Sequence, residues 1–467
     1  SPDIRQAVGS LTMSTLPLIA HRRLGAVLAW RDNTPVSASQ FLGEVEYLAG
    51  ALPPGGHVLN LCRDRYRFTV TLAACIVSGR VSLLPSTYTP EMVRQMRDIA
   101  PDVFCVADKE IVDVDLPAFR YPETMPPALS AAAIPEIDSS QVVAQVFTSG
   151  STGVPLPHPK RWGNLVRNVR AEADRLGIGT AHAVLGTVPP QHMYGLESTV
   201  LMPLQSGAAL HAGHPFYPAD ICAALASLPR PRLLVTTPYH LRTILADQHA
   251  LPAADLILSA TAPLPQTLAR EAENRFGAPL YEIYGCTETG QLASRHPTAG
   301  AEWHTLPGVL LRREGQSVWA DGGHIETPTR LSDVIELISD GEASSTFLLH
   351  GRHTDLVNIA GKRTSLAYLN HQLNAIPGVQ DGVFLPPRED GPDRIGRLAA
   401  LVVAPGLTAA ALTRALRERI DPIFLPRPLL FVDALPRNAT GKLPSQITQA
   451  LLADLQSLRA PQAQEPA

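Results

Sequence analysis

The chain has 467 residues, 45% apolar and 18% charged, with a formal net charge of −4. That length supports two or more domains with substantial cores, and that balance excludes a chain that stays disordered. The slight acidity excludes a basic field of the kind that holds nucleic acid or anionic lipid, and five scattered cysteines without a C-x-x-C pair argue against a disulfide framework or zinc site and for a reducing cytoplasm.

The N-terminal residues lack an apolar signal-peptide core, and no stretch approaches the ~20 apolar residues of a membrane span. The first patterned elements are a helix over Ala38–Leu52, a strand over His57–Cys62, a helix over Phe68–Ser78 and a strand over Val81–Leu84. This alternation predicts an α/β protein with parallel or mixed sheets flanked by helices. The apolar run Val142–Phe147 then empties into Thr148-Ser149-Gly150-Ser151-Thr152-Gly153-Val154-Pro155. A strand ending in alternating hydroxyls and glycines can turn several N–H groups and hydroxyls toward one anion. A Walker A loop is excluded, because Pro155 and Pro157 stand where its helix would start; a flexible linker is the alternative. Further strands are expected over Leu233–Thr236, Leu256–Ser259 and Leu280–Tyr284, each ending in a small or polar loop where ligands of such sheets collect. The last empties into Gly285-Cys286-Thr287-Glu288-Thr289-Gly290, which offers a hydroxyl for a phosphate oxygen and a carboxylate for Mg²⁺. The spacings His211/His214 and His350/His353 lack acidic or thiol partners and are not read as metal sites.

After Gly351 the pattern becomes a compact α+β one, with helices over Leu366–Ile376 and Ala409–Ile420 and strands over Val379–Leu385 and Leu398–Val403. The domains are set at 1–350, a hinge at 351–356, a small domain at 357–455 and a disordered tail at 456–467. Two more motifs fall here: Gly351-Arg352-His353-Thr354-Asp355 running on to Gly361, and Pro436-Arg437-Asn438-Ala439-Thr440-Gly441-Lys442.

In this order the four motifs resemble those of the adenylate-forming superfamily, which includes acyl- and aryl-CoA synthetases, peptide-synthetase adenylation domains and luciferases. The resemblance covers about residues 35 to 445. Gln191-His192-Met193-Tyr194-Gly195 and Ser259-Ala260-Thr261-Ala262-Pro263-Leu264 fill the gaps in register. It implies a large N-terminal domain, a small mobile C-terminal domain, and ATP and Mg²⁺ as cofactors. By resemblance, Thr148, Ser149, Gly150, Ser151, Thr152 and Gly153 hold the β- and γ-phosphates. Tyr284 and Ala262 flank the adenine, Thr287 binds the α-phosphate and Glu288 positions Mg²⁺. Asp333, helped by Arg352, takes the ribose, and Lys442 bridges α-phosphate and carboxylate. His192 is a candidate acid-site or gating residue.

The chain departs from that pattern in places. Leu156 stands where relatives carry a lysine, and the nearest lysine, Lys160, is read as a solvated surface charge, with a long-lever substitute as the alternative. Thr354 replaces the usual acidic hinge residue, and Trp162 a histidine. The implied activity is AMP-forming ligation of a carboxylic acid, either aromatic or medium-chain fatty, to coenzyme A or a holo acyl carrier protein. A non-catalytic protein of the same fold that binds nucleotide or a partner is the alternative, supported by Leu156 and Thr354.

Overall fold

The computed structural model describes residues 14–85, 88–111, 114–149, 154–339, 341–352, 356–359, 362–386, 397–439 and 441–459. Its centre is an eleven-stranded mixed sheet in which Ala183–Gly186, Arg232–Thr236, Leu256–Ser259 and Leu280–Cys286 lie side by side and parallel. These strands are almost wholly apolar because helices cover both faces, as buried parallel sheets require. A six-stranded sheet packs beside it through a shared core that includes Phe41, Tyr66, Phe68 and Trp162. A four-stranded sheet built on Val309–Glu314 and Ser317–Gly322 forms a third layer.

The early helices start where a capping side chain allows. Ser37 accepts from Gln40 N to open Ala38–Ala51. Asp64 accepts from Arg67 N and opens Arg65–Val77 one turn before the apolar pattern begins. Arg65 is fully buried and donates to Thr199 Oγ1 and to the carbonyls of Gly186 and Val188. It thereby ties the second helix to the end of a central strand.

The run Val142–Ser149 is a strand, and the chain returns antiparallel as Pro155–Arg161. Prolines at 155, 157 and 159 would break an interior strand, but this one lies at the edge of its sheet, where every second N–H faces outward and is not needed. The turn Gly150–Gly153 falls outside the described residues.

At the other end of the chain, Asp381–Leu385, Ala399–Val403 and Leu429–Phe431 form a three-stranded sheet with its own core, and Leu356–Ile359 pairs with Lys362–Ser365. The final helix runs Ser445–Arg459, so residues 456–459, expected in the tail, are helical instead. Residues 460–467 and the hinge positions His353–Asp355 lie outside the described residues. Among the described residues no helix is long and apolar enough to cross a membrane.

Candidate active site

The carboxyl ends of the parallel central strands open on one edge, and the loops leaving them carry most of the candidate residues. Ala262 follows Leu256–Ser259, Thr287 and Glu288 follow Leu280–Cys286, and His192 follows Ala183–Gly186 by way of two prolines. Thr237, after Arg232–Thr236, caps the helix Pro238–Leu245 by accepting from His240 N at 3.3 Å.

The hydroxyl and glycine hairpin approaches from the second sheet. Thr148 Oγ1 lies 2.8 Å from His158 Nε2 across the strand pair. Burial holds the His158 imidazole below its ordinary range, opposed by the nearby Glu288 carboxylate and reinforced by Lys160. Thr148 and the Thr287–Glu288 loop are therefore neighbours. Ser149 ends its strand, facing Pro155 in register.

On the other side, Tyr284 donates its hydroxyl to Asp333 Oδ2 at 2.6 Å. The tyrosine ring is largely buried against Trp303 and Phe347, with centroids 6.0 and 5.9 Å away. The ring is therefore a packed wall more than an open platform. Arg352 stands opposite Asp333 in the antiparallel pairing of Asp333–Leu337 with Thr346–Arg352. In the Ser259–Leu264 loop, Thr261 has φ 82°, a left-handed backbone rare for a β-branched residue.

The C-terminal lysine sits on a tight loop. Asn438 accepts from Gly441 N with its carbonyl and from Lys442 N with its side chain, at 2.9 Å each. Gly441 has φ 77°, and a Cβ there would come 3.1 Å from Tyr239. The loop is thus seated on the start of the Pro238–Leu245 helix. Asp381 clasps the two parts, accepting from Arg437 at 2.6 and 2.7 Å and from Arg242 at 2.9 Å. Between them lies a cleft of about 210 Å³ bordered by Thr237, Thr261, Ala262, His371, Arg437 and Gly441. Lys442 itself is exposed, and its charge is felt at His192: burial, then Lys442, holds that imidazole down at about 4. His192 is consequently neutral near pH 7.

One expectation fails. Lys160 is no surface charge: it is 9% exposed and donates to the carbonyls of Thr287 at 2.6 Å and Glu288 at 3.3 Å. The physical reason is strand alternation. Leu156, His158 and Lys160 share one face of the edge strand, and that face turns inward along its length until the third position is buried. The every-other-residue spacing of His158 and Lys160 was the available signal. Glu197 was missed as well. It is buried on a π-helical turn, Glu197–Leu201, and burial, opposed by Lys160, pushes its carboxyl up to about 7. Arg242 and Asp381 carry no local pattern that marks them.

An exposed Glu288 beside the Thr148–His158 pair fits a Mg²⁺ held by one carboxylate together with substrate phosphates. Among the described residues, no group of three or more His, Cys, Asp or Glu side chains could hold a metal without such a substrate.

Comparison with known proteins agrees with this geometry. Residues 24–316 match the model of the AMP-binding enzyme family. The chain is 32% identical to a 4-coumarate–CoA ligase of Rhodobacter capsulatus, over 65% of this chain and 75% of that protein. It is 26% identical to an indoleacetate–CoA ligase of Aromatoleum aromaticum, over 90% and 93% of the two chains. The fold matches ATP-bound MatB from Rhodopseudomonas palustris with a TM-score of 0.78 at 20% identity, over 93% and 97% of the two chains.

Proposed function

The chain belongs to the AMP-binding enzyme family, and on that premise we propose that it activates a carboxylic acid with ATP and passes the resulting acyl or aryl adenylate to a phosphopantetheine thiol. An aromatic acid is the expected substrate class, in keeping with relatives named for 4-coumarate and indoleacetate, and a medium-chain fatty acid is the alternative. Coenzyme A is the acceptor those names favour; a holo acyl carrier protein carries the same thiol. The reaction is assigned to the cytoplasm, in keeping with five free cysteines.

The observation that carries this reading is the seating of the Lys442 loop on Thr237 and Tyr239, with the lysine charge felt at His192. Gly441 and Leu443, on either side of Lys442, border the same cleft as Thr261 and Ala262.

A carboxylate is ionised at neutral pH and needs no general base. The obstacle is repulsion between it and the triphosphate, together with charge growing on the departing pyrophosphate. In the proposed reaction a carboxylate oxygen attacks the α-phosphorus, and the bond to pyrophosphate breaks with the electron pair leaving on pyrophosphate. Thr148 to Gly153 and Thr287 would hold the phosphates, with Asp333 and Arg352 on the ribose and Tyr284 and Ala262 beside the adenine. Glu288 would hold Mg²⁺, which supplies positive charge to the phosphate oxygens. Lys442 would bridge the two anions, and a neutral His192 beside it adds no competing cation. The thiol sulfur then attacks the acyl carbon, AMP leaves, and the thiol proton passes to solvent.

The test is pyrophosphate release across a panel of aromatic and fatty acids. Lys442→Ala is expected to lower kcat by about 10²–10³-fold, the loss typical of one transition-state donor. If no acid elicits Lys442-dependent release while ATP still binds, the protein is a nucleotide binder without turnover. Leu156, 56% exposed where relatives carry a lysine, favours that second reading. Repeating the productive assay with coenzyme A and with holo carrier protein identifies the acceptor.

A further inference from the structure

Three consecutive carbonyls of the Thr287-Glu288-Thr289 loop are held from behind by buried basic side chains. Lys160 Nζ donates to Thr287 at 2.6 Å and to Glu288 at 3.3 Å, and His324 Nε2 lies 3.0 Å from the Thr289 carbonyl. Because a carbonyl only accepts, His324 carries its proton on Nε2. The two donor side chains come from separate parts of the chain: the edge strand Pro155–Arg161 and the turn after Ser317–Gly322. His324 is itself placed by Asn164, which donates to its carbonyl at 2.8 Å.

We propose that Lys160 is the positioning residue of the phosphate- and metal-facing loop, acting with His324 through the loop's backbone. In a trans peptide the C=O and N–H point in opposite directions. Turning the carbonyls of 287 and 288 inward therefore turns the N–H groups of Glu288 and Thr289 the other way, and that of Thr289 meets the Cys286 thiol. Glu288 is exposed and Thr289 is buried behind it. A loop pinned at three successive peptides presents its hydroxyl and carboxylate in one geometry before substrate arrives, so no ordering cost falls on the reaction.

A buried ammonium needs compensation. Burial lowers the affinity of Lys160 for its proton, and Glu197 is first among the groups that restore it. Glu197 lies on the π-helical turn beneath the loop, in the packing that surrounds Gly290.

Lys160 does not stand in for the lysine that relatives carry at the Leu156 position. Four strand residues separate them, about 13 Å at ~3.3 Å per residue. Lys160 donates instead to the carbonyls of Thr287 and Glu288.

This inference rests on the adenylating reading only for its catalytic consequence; the loop geometry can be measured without substrate. The experiment is backbone hydrogen exchange on the whole chain, wild type against Lys160→Met, with thermal melting as the folding control. Peptides covering 287–289 are expected to exchange about tenfold faster, with those covering 280–283 unchanged, since only the loop has lost its anchor. In the pyrophosphate assay the same variant is expected to need several-fold more Mg²⁺ for half-maximal rate, and kcat should fall by about tenfold while KM for the acid stays within about twofold. A folded Lys160→Met with wild-type exchange at 287–289 overturns the proposal, and so does an unchanged Mg²⁺ requirement. If Lys160→Met does not fold, Lys160→Gln is read the same way: its one amide donor should give a partial rise in exchange, and wild-type exchange overturns the proposal. If no acid releases pyrophosphate in the wild type, the adenylating reading has failed, while the exchange result still decides the role of Lys160.

Discussion

Gly290 closes the Thr287-Glu288-Thr289 loop under a tight local constraint. Its φ is 71°, and a Cβ there would overlap the Asn168 amide and come 2.9 Å from a Glu197 oxygen. Gly290→Ala combines a left-handed backbone with overpacking of two buried polar groups. It is expected to cost about 2–4 kcal/mol, read by urea unfolding. Lys442 offers a different single-residue measurement. Since burial and then Lys442 hold the His192 imidazole at about 4, Lys442→Ala should raise that value without restoring it to the ordinary one, as burial is the larger cause. Histidine NMR reads this directly, and an unmoved His192 would place the lysine loop elsewhere in solution.

At the scale of elements, one carboxylate joins distant segments: Arg437 and Asp381 lie in the C-terminal part of the chain, and Arg242 on the Pro238–Leu245 helix completes the clasp. All three side chains are mostly buried, so removing the shared anion leaves two guanidinium groups without their counter-charge, although Arg437 keeps its bond to the Gly441 carbonyl. Asp381→Ala is expected to cost on the order of 3 kcal/mol. Arg242→Ala should cost less, because Asp381 keeps Arg437, yet it loosens the seat of the lysine loop. The expected result is faster separation of the domains by limited proteolysis and slower pyrophosphate release, with melting temperature changed by only a few degrees. The edge strand Pro155–Arg161 makes a related point. Its prolines forbid an interior place, so it could only be an edge strand, and an edge strand can carry Lys160 across to the loop of the neighbouring sheet.

For the whole molecule, buried titratable groups set the pH range of stability. His192, His214, His240 and His324 are each held at about 4, chiefly by burial, against 6.5 when unfolded. Between those values the unfolded chain binds more protons, so stability falls as pH drops below about 6.5. Glu172 and Glu197 run the other way. Burial raises them to about 8 and about 7, so the folded state binds more protons than the unfolded one above about 4.5, and stability falls as pH rises through that window. Among these six groups the four histidines outweigh the two carboxyls below pH 6.5, and above it the carboxyls are the ones that titrate. The expected optimum lies near pH 6.5, measured as melting temperature against pH. Glu172→Gln should flatten the alkaline side.

The sequence by itself determined the α/β class, three neighbouring strands of the central sheet to within a few residues and the order of the motifs, because these depend on local pattern: apolar runs, caps, glycines and prolines at fixed offsets. The Thr287–Glu288 loop and the glycine-borne Lys442 were legible for that reason. Burial of Lys160, the Glu197 counter-charge, the His324 contact and the Arg242–Asp381 clasp were not. Each joins residues far apart in the chain, so whether a charge faces solvent or a carbonyl depends on which other segment the fold brings to it. Only the tertiary structure decided that, since a lysine on an edge strand looks the same in sequence whether its strand ends in water or against a neighbouring loop.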